Sequence, residues 1–164
     1  MQSILNQIEI DQKITRLAHQ IIENTFEEPT LFIGGICGNG IQLANKLKDI
    51  ITQHSDQYIT VFEINVNKDE PWSEKIQLSI NESELKHGYI LLVDDVLNSG
   101  KTMQYALVKL LEQPTKAIKT VALVDRTHRR YPIKADFVRI SLSTTLKERV
   151  EVKLESNNSF AYLV

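Results

Sequence analysis

The stretch YILLVDDVLNSGKT, residues 89–102, constrains the fold of this 164-residue chain more than any other. Residues 89–93 form a nearly unbroken apolar run, the pattern of a strand buried on both faces of a parallel sheet. The run meets Asp94 and Asp95, and the strand is expected to end at Asp94. Asn98, Ser99 and Gly100 then read as a tight turn, and residues 101–112 carry Met103, Leu107, Leu110 and Leu111 at helical spacing. Strand, acidic pair, small-residue loop and helix together call for a layered α/β architecture.

A loop of small and hydroxyl residues at the start of a helix turns backbone N–H groups toward one point, where the helix dipole adds to the attraction for an anion. A phosphate suits that point. Asp94 and Asp95 stand directly upstream, where carboxylates accept hydrogen bonds from sugar hydroxyls or hold a hydrated Mg²⁺. At the end of a strand the pair is expected to be solvated. A nucleotide-triphosphate loop of the G-x-x-x-x-G-K-T type is disfavoured, because it requires glycine at position 95, where this chain has Asp95. A plain strand ending in a solvated acidic turn explains neither the paired acids nor the Ser99-Gly100-Lys101-Thr102 helix start.

The rest of the chain fits one domain, residues 1–164. Nineteen basic against twenty-one acidic residues leave a net charge of −2, which excludes a nucleic-acid-binding polycation but not a local basic patch. A single cysteine, Cys37, excludes an intrachain disulfide. With no leader and no membrane-spanning run in view, a cytoplasmic location is expected.

From Asn6 as N-cap to about Glu23, Ile10, Ile14, Leu17 and Ile21 predict an amphipathic helix, in which His19 carries no chemistry. Residues 30–33 read as a short buried strand, followed by GGICGNG at 34–40 and a helix bearing Ile41, Leu43, Ala44, Leu47, Ile50 and Ile51. Taken alone, that glycine loop reads equally as an anion cradle or a tight turn. Residues 58–65 and 75–80 alternate as strands around the polar 67–74, and 120–124 forms a β-branched strand ending at Asp125-Arg126. Residues 137–142 and 150–154 read as strands, and 156–159 as the turn of a closing antiparallel hairpin that runs to 160–164.

Residues 89–102 resemble the phosphoribosyl-pyrophosphate (PRPP) motif of the type I phosphoribosyltransferases. VALVDRTHRRYPIKADFV at 121–138 and TLKERVEVKLE at 145–155 resemble the bacterial pyrimidine-operon attenuation regulators, which are also uracil phosphoribosyltransferases. The resemblance implies a central, mainly parallel sheet flanked by helices, with a hood from the 65–80 region and a C-terminal hairpin on one edge. It places PRPP on Asp94, Asp95, Leu97, Asn98, Ser99, Gly100, Lys101 and Thr102. Cys37, Gly38, Asn39 and Gly40 become the pyrophosphate loop, and Asp125 and Arg126 the base-binding pair. Mg²⁺ is expected at Asp94 and Asp95 through the sugar hydroxyls or water.

Relatives carry a basic or hydroxyl residue in the pyrophosphate loop, which here leaves the backbone N–H groups to hold the anion. Lys68 from the hood can meet pyrophosphate; on the plainer view, 67–74 is a solvated loop with one buried residue, Trp72. Asn98 stands where purine-salvage members carry aspartate, which favours a pyrimidine, uracil, as the acceptor. Two readings stay open: an enzyme, or a PRPP- or nucleotide-sensing regulator without useful catalysis. RNA is a further partner suggested by the Arg-Arg-aromatic cluster 129–131. Family members usually form dimers or larger assemblies.

Overall fold

A computed structural model of the chain describes residues 2–143 and 148–164. Strand β1 (Gln2–Leu5) leads through Asn6 into helix α1 (Gln7–Thr25). The expected cap is present as a reciprocal box: the Asn6 side chain accepts from the Glu9 N–H at 2.9 Å, and Glu9 reaches back to the Asn6 N–H. Such a box is worth about 1 kcal/mol to the helix start. The order continues β2 (Thr30–Ile36), α2 (Asn39–His54), β3 (Tyr58–Asn65) and β4 (Gln77–Leu78). After a 3₁₀ turn at Glu82–Leu85 come β5 (Tyr89–Leu97), α3 (Lys101–Leu110), β6 (Ala117–Asp125) and β7 (Phe137–Ser141). Strands β8 (Val150–Lys153) and β9 (Phe160–Leu163) complete the described residues.

Six strands form one sheet in the order β4-β3-β2-β5-β6-β7, parallel throughout except for β4. The apolar run of β5 explains its central place: Leu91 and Val93 enter the core under α1 and α2, whereas Ile90 and Leu92 enter the core on the α3 side. Alternate residues of a strand point to opposite faces, so a strand covered on both sides has to be apolar at every position.

Three expectations change. Strand β5 does not stop at Asp94 but keeps its pairing with β6 through Asp94↔Ala122, Val96↔Val124 and Leu97↔Asp125. The expected 75–80 strand shrinks to Gln77–Leu78, paired antiparallel with β3. The closing hairpin forms, but it does not lie on an edge of the large sheet. Instead β8 and β9 are joined by β1 in a separate antiparallel sheet of order β1-β9-β8. β1 is four residues long, too short for its alternation to stand out before the helix cap. Of the tail 145–155, residues 145–147 lie outside the described residues.

Candidate active site

The carboxyl end of β5, the loop before α3, the start of α2, Lys68 and strand β8 enclose a cavity of about 630 Å³. Its wall carries Asn39, Lys68, Asp94, Asp95, the whole of 96–102 and the four residues of β8. Parallel α/β sheets place ligands beyond the carboxyl ends of their strands, and this is that position.

Asp94 is 7% exposed, so the expected solvated pair is half wrong. The reason lies in α2. A Cβ built on Gly40 would stand 2.9 Å from the Val93 carbonyl oxygen and 3.2 Å from Asp94 Oδ1, so only glycine lets the helix start close over the acid. Burial pushes the Asp94 carboxyl well above the ordinary carboxylate range, the charge of Asp95 pushes the same way, and Lys68 pulls it back. Its Oδ1 accepts from the Asp95 N–H at 2.9 Å. Two adjoining carboxylates, one of them poorly hydrated, suit a divalent cation carried by a ligand's hydroxyls and water. No group of three or more His, Cys, Asp or Glu is gathered for direct ligation among the described residues.

The 98–102 loop is held from behind. Gly100 has φ +87°, and a Cβ there would lie 2.6 Å from Ile133 Cγ2 and 3.1 Å from Arg129 Cδ. That glycine therefore serves the packing of the 129–133 segment against the loop as well as its left-handed turn. The Ser99 carbonyl accepts from the N–H groups of Arg130 (2.8 Å) and Tyr131 (3.1 Å). Helix α3 starts at Gly100 without a side-chain cap; the Lys101 N–H leans on Ser99 Oγ at 3.3 Å, and the following N–H groups of the first turn are the ones turned to a ligand. The Lys101 side chain turns away to the hood, where its Nζ donates to the Asp69 carbonyl at 3.0 Å.

Of the four pyrophosphate-loop residues, Asn39 alone is on the cavity wall. The Cys37 N–H donates to the Ile64 carbonyl (3.0 Å) and its thiol to the Val66 carbonyl (3.4 Å), so this cysteine packs the strand ends together. Helix α2 also begins without a side-chain cap, at Gly38 (φ +89°). Lys68 Nζ lies 3.4 Å from where a Gly38 Cβ would stand, so the hood supplies the cation that the loop lacks. Asn39 Nδ2 donates both to Asp95 Oδ2 (3.0 Å) and to the Val152 carbonyl (2.7 Å), and so bridges the acidic pair to the small sheet.

Asp125 and Arg126, expected on the base, are not on the cavity wall. Arg126 is buried and donates to Asn98 Oδ1 at 3.1 Å and to the Glu148 carbonyl. Asp125 accepts from the Thr127 N–H and pairs with Arg129 at 2.8 Å, while Arg129 also donates to the Asn98 carbonyl. This cluster fixes Asn98 from outside. Trp72, expected to be buried, is 61% exposed.

Strand β8 is the part of the wall that side-chain reasoning missed. Arg149 and Val164 exchange both backbone hydrogen bonds, so in the alternating antiparallel ladder Arg149, Glu151 and Lys153 face β9. Val150 and Val152 then turn their backbone groups the other way, as the Asn39 contact with the Val152 carbonyl requires. That edge of β8 pairs with no strand among the described residues and borders the cavity.

A buried parallel strand that carries paired acids near its carboxyl end and runs into a helix-opening phosphate loop, roofed by a second small sheet, defines a type I phosphoribosyltransferase. The chain belongs to this family: the phosphoribosyl transferase domain matches residues 1–155. Among its relatives is the Bifunctional protein PyrR of Staphylococcus aureus, 34% identical over 93% of this chain and 91% of that protein. The Bifunctional protein PyrR of Mycobacterium tuberculosis is 31% identical over 94% of this chain and 88% of its own. A hypoxanthine phosphoribosyltransferase of Trypanosoma cruzi shares the fold with a TM-score of 0.74 at 19% identity, covering 87% of this chain and 82% of that one. No helix among the described residues is long and apolar enough to cross a membrane.

Proposed function

We propose that the protein transfers the 5-phosphoribosyl group of PRPP to a nitrogen of uracil, releasing pyrophosphate, with Mg²⁺ on the acidic pair, in the cytoplasm and as an oligomer. The observation that carries the reading is one cavity holding both carboxylates, the phosphate loop, a cationic Lys68 and the open edge of β8. The N–H groups at the start of α3 take the 5-phosphate. Asp94 and Asp95 accept from the ribose 2- and 3-hydroxyls and fix the sugar for attack. The start of α2 and Lys68 face the pyrophosphate as its bond to the anomeric carbon breaks and negative charge gathers on it. Mg²⁺, when bound, neutralises part of that charge.

On the base side, the Val150 carbonyl and the Val152 N–H offer an acceptor beside a donor, which complements the adjoining N–H and C=O of a keto base. Asn98 adds the preference for uracil. Its Oδ1 is taken by Arg126, so its amide N–H groups are left to donate to a ring carbonyl, and an amide cannot accept the proton that a purine imidazole presents. Asp125 and Arg126 then act on the base through Asn98. The test is incubation with PRPP, Mg²⁺ and each labelled base in turn. Uridine 5-monophosphate as the main product is expected; inosine or guanosine monophosphate instead overturns the choice of base, and tight PRPP binding without turnover favours the regulatory alternative.

The relatives' designation as bifunctional supports a second activity, for which we take RNA as the ligand. With Arg126 and Arg129 engaged inside the fold, the exposed Arg130 beside Tyr131 is the side chain most available to a phosphate. Arg130→Ala should reduce the salt dependence of RNA binding by about one counterion. Wild-type protein that retains no RNA at low salt removes this second reading.

A further inference from the structure

The side chain of Lys101 has the wrong direction for a phosphate ligand and the right one for a fastener. Its backbone opens α3 at the phosphate loop, yet its Nζ donates to the Asp69 carbonyl at 3.0 Å and sits 5.7 Å from the centre of the Trp72 ring. Both contacts fall in the 66–76 segment, next to Lys68, which borders the cavity and faces Asp94. Trp72 in turn packs on Tyr105 of α3, with ring centres 6.3 Å apart, and Tyr105 on Tyr131 at 6.5 Å. An exposed tryptophan held by a cation and an aromatic edge is a contact that can open and re-form, because little apolar area is sealed by it.

We propose that Lys101 is a positioning residue that ties the 66–76 segment to the phosphate loop, so that occupation of the loop and placement of Lys68 over the leaving group are linked. The proposal rests on the phosphoribosyl-transfer reading of the site. A phosphate bound at the start of α3 orders the backbone from which Lys101 springs. The lysine then fixes Asp69 and Trp72, and Lys68 with them. The link has to work in both directions: a ligand that engages Lys68 strengthens the hold on the 5-phosphate.

Trp72 is the only tryptophan in the chain, so its emission reads the contact directly. Lys101→Met and Lys101→Arg are compared with wild type for Trp72 emission, and for binding of PRPP with Mg²⁺ and of uridine 5-monophosphate by calorimetry. Lys101→Met is expected to change the emission of the ligand-free protein. It should weaken PRPP roughly tenfold, the scale of one hydrogen bond plus one exposed cation–π contact, and the monophosphate less than about twofold. Lys101→Arg should restore most of both. Trp72→Leu, which lies outside the binding machinery, should reproduce the PRPP-selective loss, and Trp72→Phe should not. Equal weakening of both ligands by Lys101→Met overturns the proposal, since the amine would then be a phosphate ligand. So does Lys101→Met with unchanged emission and unchanged PRPP affinity. Wild-type protein that binds neither ligand overturns the phosphoribosyl-transfer reading and with it the linkage, a result that the emission of the ligand-free variants keeps apart from a missing Lys101–Trp72 contact.

Discussion

Replacing Asn39 by alanine should loosen the site by removing the bridge between Asp95 and β8. Asn39 Nδ2 makes two hydrogen bonds, one neutral to the Val152 carbonyl at 2.7 Å and one charge-assisted to Asp95 at 3.0 Å. Buried and unreplaced, the two would be worth about 1 and about 2 kcal/mol. Both acceptors border an open cavity, so water takes over part of each, and the expected net loss is about 2 kcal/mol. For a domain of this size that lowers Tm by roughly 4–8 °C. The larger consequence is positional: β8 loses its only described side-chain tie to the acidic pair, so base affinity should fall more than PRPP affinity. Asn39→Asp is the sharper control. It removes the donor and sets a second charge about 3 Å from Asp95, a repulsion of at most about 5.5 kcal/mol at an effective dielectric near 20. It should therefore destabilise more than alanine at neutral pH, and the gap should close in acid as one carboxyl takes up a proton. Differential scanning calorimetry and binding titrations read all of this. A Tm within 1 °C of wild type and unchanged affinities for Asn39→Ala would refute the bridge.

Asp94→Asn should raise Tm at neutral pH while abolishing Mg²⁺-dependent PRPP binding. The Asp94 carboxyl is raised by burial and by Asp95, so the folded protein binds its proton more readily than the unfolded chain. The wild type should therefore gain stability as pH falls from neutrality toward the ordinary carboxylate range, and the variant should lack that gain; calorimetry across this range checks it. Gly100→Ala should lower stability by about 1–3 kcal/mol through the positive φ and the contact with Ile133, where most glycine-to-alanine changes are mild; urea unfolding reads the sign. Lys109, buried in α3, is held above its ordinary 10.5 by hydrogen bonds to Glu112 and Glu82. Its contribution to stability is complete below that value and is lost as pH rises through the higher folded one, so alkaline unfolding of the wild type should show a step that Lys109→Met lacks.

The sequence made the strands and helices legible wherever burial imposes a period. The apolar run of Ile90, Leu91, Leu92 and Val93 reads as a doubly covered strand, and Asn6 reads as a cap; its reciprocal partner Glu9 came from the structure. The phosphate loop was legible because backbone approach demands small residues. What stayed hidden depends on partners distant in the chain. Asp94 looks like a strand terminator and becomes a buried ladder residue because Gly40, more than fifty positions earlier, lets a helix close over it. Arg126 and Arg129 look like free cations and are consumed by Asn98, Asp125 and the Glu148 carbonyl. Val150 and Val152 border the cavity with backbone groups, which every residue but proline carries in full, so no side-chain pattern could announce them.

The small sheet is sewn from segments far apart along the polypeptide. β1 precedes and β9 follows every strand of the large sheet, yet Gln2 pairs with Leu163 and Ser3 with Tyr162. The strand pairings of the large sheet all lie within residues 30–141, so they can form while β1 still waits for a partner. Non-local pairings of this kind form late. On the phosphoribosyl-transfer reading, a chain that stops short of residue 150 would keep both carboxylates and the phosphate loop but lack the wall facing the acceptor. It would occupy PRPP without consuming it, and an assay that follows only PRPP binding would mistake it for the finished protein.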